Sequence, residues 1–230
     1  MEHNNSKIFK FNEKADYIFY LSELIIDLIQ KKDRLTKYSS EIELIIKHNP
    51  NAKFINSDLF DSISDKTNRL YQYLFNLIGD ESKKAVSYRK FRKILYKQRN
   101  NLNISLEQLT QEENEILSAF NSLRNWSLHI PESLYLQKKV FFNMSSDFIN
   151  ANKSIIPIPQ YDNFEIEFLH KVQEEIGEVM ECCEKILERM KNDYSSLIGY
   201  EFKIVYENNL VKPYAFMKAV EKSWNVQNGK

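Results

Sequence analysis

Glycine and proline are scarce in this chain, four and five in 230 residues. A sandwich or barrel of strands needs turn residues at short intervals, so the shortage excludes a sheet-built fold. Cysteine is scarcer still, and the two present, Cys182 and Cys183, are neighbours within a helical pattern. Their side chains would point about a third of a turn apart, which disfavours a disulfide between them and favours buried or half-buried thiols. No Cys/His cluster has the spacing of a zinc site. Long apolar runs are missing too: charge interrupts each one well before the ~18 residues a membrane span requires, as at Asp27 in the first helix. Residues 1–10 are polar and lack the apolar centre of a signal peptide, so a cytoplasmic chain without a membrane partner is expected. A glycine-rich phosphate loop and a Ser/His/Asp context are also lacking, which removes the usual signs of an NTPase or hydrolase.

Charge of one sign is not in excess. Thirty-two Lys and Arg balance thirty-two Asp and Glu. The balance hides an asymmetry, since residues 83–99 carry eight basic side chains and no acid, whereas 162–193 carry ten acids against four bases. One basic face is enough for a nucleic-acid partner, so zero net charge does not exclude one.

What is present is helical periodicity. With 43% hydrophobic and 28% charged residues, the chain reads as all-α, a single bundle domain over 1–198 with a C-terminal extension over 199–230. Ile18, Leu21, Ile25, Leu28, Leu35, Ile42 and Ile45 predict a helix over 14–47, in one piece or bent near Tyr38-Ser39-Ser40. His48-Asn49-Pro50 ends it, with His48 on the C-terminal dipole. Ser57 or Asp58 is the expected cap of a second helix that stops at Gly79. A third, over 81–97, is the basic one. Thr110 and Glu113 form a capping box for a fourth over 110–128. A short helix through Leu136 follows Pro131, and 150–163 reads as a surface loop. Residues 164–197 carry a seam of Val172, Ile176, Val179, Cys183, Ile186, Met190, Tyr194 and Leu197, suited to a partner helix in the bundle or in a second subunit. Glu167-x-x-His170 matches half of a di-iron pattern whose second half is absent, so His170 is a surface or packing residue and no metal or other cofactor is expected. Tyr200, Phe202, Ile204 and Tyr206 alternate, predicting one short strand in the extension. A last helix after Pro213 would carry Phe216, Val220 and Trp224 on one side.

The chemistry-bearing stretch is Phe120-Asn-Ser-Leu-Arg124-Asn125-Trp126-Ser-Leu-His129-Ile-Pro131. Asn125 and His129 are four apart and would share a helix face, and Arg124 is long enough to reach the same spot. Arg-Asn-x-x-x-His resembles the R-x4-6-H signature of the HEPN superfamily, helical domains that include metal-independent ribonucleases of toxin–antitoxin and abortive-infection systems. The resemblance implies an antiparallel helical bundle, an RNA substrate, a homodimer with a shared cleft and a regulatory or antitoxin protein as partner. Some such antitoxins modify a tyrosine two residues beyond the motif histidine, a position held here by Pro131.

RNA supplies its own nucleophile, the 2′-hydroxyl, so cleavage needs only proton transfer and positive charge. His129 can take either proton role near neutral pH, Arg124 can clamp two phosphate oxygens, and Asn125 would orient the imidazole or a phosphate oxygen. The products would be a 2′,3′-cyclic phosphate and a 5′-hydroxyl. RNA contact is expected from Lys84, Arg89, Lys90, Arg92, Lys93 and Lys97, which are interleaved with Tyr88, Phe91 and Tyr96. Trp126 is either a core anchor or a platform for a base. The alternative to an enzyme is a non-catalytic helical protein-interaction module, in which Arg124 pairs with an acid on a neighbouring helix.

Overall fold

A computed structural model describes residues 9–82, 86–128, 132–141 and 158–227. His129 and Lys84, expected to act on RNA, lie outside the described residues, as does most of the 150–163 stretch. The described chain holds seven helices and one two-stranded ribbon.

Helix α1, Lys14–His48, is one unbroken rod through Tyr38-Ser39-Ser40. The Asp16 carboxylate accepts the amides of Asn12 and Glu13 at its start. At its end the Nδ1–H of His48 donates to the Leu44 carbonyl, the Asn49 side-chain amide to that of Ile45 and the Asn49 backbone amide to that of Ile46, so two of the orphan carbonyls gain partners. Strand β1, Phe54–Asn56, leads into α2, Ser57–Gly79. The cap is Asn56 rather than Ser57 or Asp58: its Oδ1 accepts the amides of Asp58 and Leu59 at 3.0 and 3.3 Å, because the strand delivers it in extended conformation just ahead of the first turn.

Helix α3, Tyr88–Gln98, starts later than residue 81. The Asp80 carboxylate takes the Ser82 amide at 2.8 Å, folding a turn in place of a helical start, and the Ser87 hydroxyl then caps α3 through the Lys90 amide. Helix α4, Gln111–Leu128, has its capping box in full, Glu113 N–H to Thr110 Oγ1 at 3.1 Å and Thr110 N–H to Glu113 Oε2 at 2.7 Å. Helix α5, Glu132–Phe141, runs past Leu136 and buries no residue among those described.

Strand β2, Asn163–Glu165, pairs antiparallel with β1, placing Ile55 opposite Phe164, and α6 follows as Glu167–Ile198. Gly199, at φ 86°, closes α6 in the left-handed conformation that glycine adopts without strain. The strand expected at 200–206 is not one. That segment is non-regular and is held by its side chains, Phe202 against the Tyr194 ring and the Tyr206 hydroxyl donating to Asp33. Helix α7, Ala215–Gln227, completes the chain.

The seam of α6 meets α1 within the same chain. Lys32 pairs with Glu184 and Gln173 reaches Glu43, so the two helices run antiparallel. Leu21, Leu28, Leu35 and Ile42 of α1 and Ile176, Cys183, Ile186 and Met190 of α6 are fully buried. Burial pushes the Cys183 thiol up to about 12, so it stays protonated and serves as a small apolar residue. Helix α2 lies antiparallel to α1, through Tyr73 to Asp27 and Lys66 to Glu41, and antiparallel to α4, through Gly79 to Asn121 and Asn76 to Arg124.

Candidate functional site

Helices α2 and α4 pack in close contact at Gly79, where an added Cβ would lie 2.6 Å from the Asn121 amide nitrogen. Only a glycine admits that spacing. One turn further along α4, the close approach sets Arg124 against the end of α2. Its Nε donates to Asn76 Oδ1 at 3.2 Å, Nη1 donates to Asn125 Oδ1 at 3.0 Å, and Nη2 lies 3.5 Å from Asp80 Oδ2. The Asp80 side chain is 6% exposed and that of Arg124 is 22% exposed. Of the five N–H bonds of a guanidinium, two, one on each terminal nitrogen, remain uncommitted among the described residues. Asn125 orients the guanidinium through its Oδ1, and it is itself exposed.

The basic helix divides in two. Arg92 is a core residue and not an RNA contact: 5% exposed, it pairs with Asp193 through Nε at 2.8 Å and donates from Nη2 to Asp193 Oδ1 and to the Glu107 carbonyl. A guanidinium enclosed in this way offers nothing to a phosphate. The Tyr88 hydroxyl donates to the same carboxylate at 2.8 Å. Burial pushes the Asp193 carboxyl up, against the pull of Arg92 and Tyr88. Tyr88 and Phe91 are fully buried, so neither ring is available for stacking on a base.

Arg89, Lys93, Tyr96 and Lys97 stay at the surface, around an open groove of about 480 Å³ between α3 and α4. Lys90 instead bends back to the Ser82 carbonyl at 2.5 Å. Arg89 and Lys93 pair with Glu81, the residue next to the Asp80 that holds Arg124. Arg124, Arg89 and Lys93 are thus gathered on two consecutive acids. The same acids neutralise part of the charge they gather. For Glu81, the hydrogen bond from Lys93 outweighs burial and holds the carboxyl below its usual range.

Sequence reasoning missed Asn76 and Asp80. Their one legible signal was an acid directly after the helix-stopping Gly79, at the head of a basic run. Trp126 is not a core anchor, being 59% exposed on the last turn of α4. No helix among the described residues is long and apolar enough to cross a membrane, and no group of three or more His, Cys, Asp or Glu among them is placed to hold a metal. No family model, curated protein or solved structure matches the chain.

Proposed function

We propose that the chain is a metal-independent endoribonuclease of HEPN type, a cytoplasmic toxin or antiviral effector that works as a homodimer under the control of a regulatory protein. The observation that carries this is the state of Arg124. It is partly exposed, fixed in orientation by Asn76 and Asn125, has two N–H donors uncommitted among the described residues, and stands five positions before His129 in the sequence. A guanidinium held this way meets two oxygens of a phosphodiester without first losing side-chain entropy. His129 supplies the proton step, an effect worth about 10² to 10⁴ in rate. One histidine per chain fills one proton role, and a two-fold dimer supplies the second. The groove of Arg89, Lys93, Tyr96 and Lys97 offers the strand cations and one ring.

The test is cleavage of single-stranded RNA in EDTA by the intact chain. His129→Ala and Arg124→Lys should each abolish formation of 2′,3′-cyclic phosphate ends while the circular dichroism spectrum and melting temperature hold. Undiminished cleavage by both variants defeats the proposal.

A second reading, a non-catalytic helical interaction module, is favoured by the Arg124–Asp80 pair, since a buried acid beside the guanidinium is what a structural arginine requires. Under that reading Arg124→Lys lowers the melting temperature and the wild-type chain leaves RNA intact.

A further inference from the structure

Beside the last turn of α4 the surface opens into a cavity of about 510 Å³ between α2, α4 and α6. That volume falls within the roughly 300–1,000 Å³ of small-ligand sites. Tyr71, Phe75 and Trp126 supply aromatic wall, Glu175 and Glu178 supply carboxylates from α6, and Lys171, paired with Glu174 at 2.8 Å, adds a cation at the same wall. Tyr71 is only 9% exposed, and its hydroxyl is enclosed without any hydrogen-bond partner. No other enclosed side-chain nitrogen or oxygen among the described residues is left in that state. An unmade bond of this kind costs about 1–3 kcal/mol, and here it falls on a residue that lines the cavity, whose hydroxyl needs only a small side-chain shift to meet a bound ligand.

The chemistry of the lining narrows the ligand. Burial, with the nearby charges of Glu175 and Glu178, raises the Tyr71 phenol far above neutrality, so its O–H is a fixed donor. The two carboxylates accept and cannot donate. The matching ligand is planar, to lie on the exposed Trp126 ring, and presents one acceptor beside two adjacent N–H donors. The Watson–Crick edge of guanine has that order: O6, N1–H and N2–H. Adenine offers one donor group on that edge, and cytosine places an acceptor where the carboxylates would meet N1–H. We infer that this cavity binds an unpaired guanine base, with Tyr71 donating to O6, Glu175 or Glu178 accepting from N1–H and N2–H, and Trp126 covering the ring. The inference does not depend on whether Arg124 and His129 cut RNA.

The test follows Trp fluorescence of the intact chain during titration with GMP, AMP, CMP and two oligonucleotides, a single-stranded pyrimidine run and the same run with one central guanine. GMP or the guanine-bearing strand should quench and bind at least tenfold more tightly than its counterparts, and quenching should persist in Trp224→Phe, the other tryptophan. Quenching by GMP identifies a free nucleotide as sufficient; quenching by the guanine-bearing strand alone identifies the strand as the source. Both keep the site. Tyr71→Phe should weaken binding about tenfold and leave the melting temperature equal or higher, because the hydroxyl lost had no partner. Glu175→Gln with Glu178→Gln should abolish the preference for guanine. Failure of both guanine ligands to quench, equal binding of all three mononucleotides, or wild-type affinity in Tyr71→Phe overturns the inference.

Discussion

Glu113 does two things from one position. It closes the capping box at the start of α4, and it accepts from Arg189 Nε at 2.7 Å, with the Arg189 side chain almost fully enclosed. Burial alone would raise its carboxyl, but the bonds from Arg189 and Thr110 outweigh that and hold it below the usual range. The sign follows from linkage: a depressed folded value gives stability that is present above the unfolded value, about 4.3, and is lost as pH falls through the lower folded value. Glu113→Gln keeps the capping geometry, since Gln serves at that position, but leaves Arg189 one charge short. Urea unfolding at pH 7 should show the variant less stable by about 1–3 kcal/mol, and the gap to wild type should close on acidification below pH ~4. A gap independent of pH would assign the loss to packing. Asp193 is a different case, because burial raises its carboxyl and its variant is judged by the partners left behind. In Asp193→Ala the enclosed Arg92 loses its counter-charge and the Tyr88 hydroxyl its acceptor, and about 3–5 kcal/mol should be lost by the same measurement.

Between elements, the α2–α4 crossing at Gly79 matters most, because it also sets Arg124 against Asn76 and Asp80. Alanine is the better helix former by about 1 kcal/mol, so an unobstructed Gly79→Ala would stabilise. Here the new methyl meets the backbone of Phe120 and Asn121, which cannot rotate away. The helices must part, and a net loss of roughly 1–3 kcal/mol in urea unfolding is expected. Stability equal to wild type would mean that α4 shifts freely. None of this was legible in the sequence, where Gly79 read only as a stop signal. What periodicity revealed was what local chemistry alone decides: the α6 seam, the length of α1 and the Thr110–Glu113 box. The β1–β2 ribbon escaped because each strand is three residues long and they are joined across more than a hundred positions. Arg92 was misjudged for a related reason. Its place in a basic run was visible, but its acid, Asp193, lies about a hundred residues away in the chain and only folding brings them together.

For the whole molecule, the open question of shape is why α7 lies outside the core. Phe216, Val220 and Trp224 recur every fourth residue with Met217 beside them, and all are exposed, as are Val205, Leu210, Val211 and Tyr214 in the segment before. An apolar stripe of this extent in contact with water is the signature of an association surface. If the proposed homodimer forms, the exposed stripe of α7 is a surface on which two copies could meet. Sedimentation of the intact chain should show a dimer at micromolar concentration. Val220→Glu with Trp224→Glu should produce a monomer of unchanged helicity, since neither side chain contributes to the buried core. If the ribonuclease reading holds, that monomer should also lose cleavage. A chain that is monomeric at every concentration yet cleaves RNA would separate the two claims: α7 would then have a different partner, and both proton roles would have to be filled within one subunit.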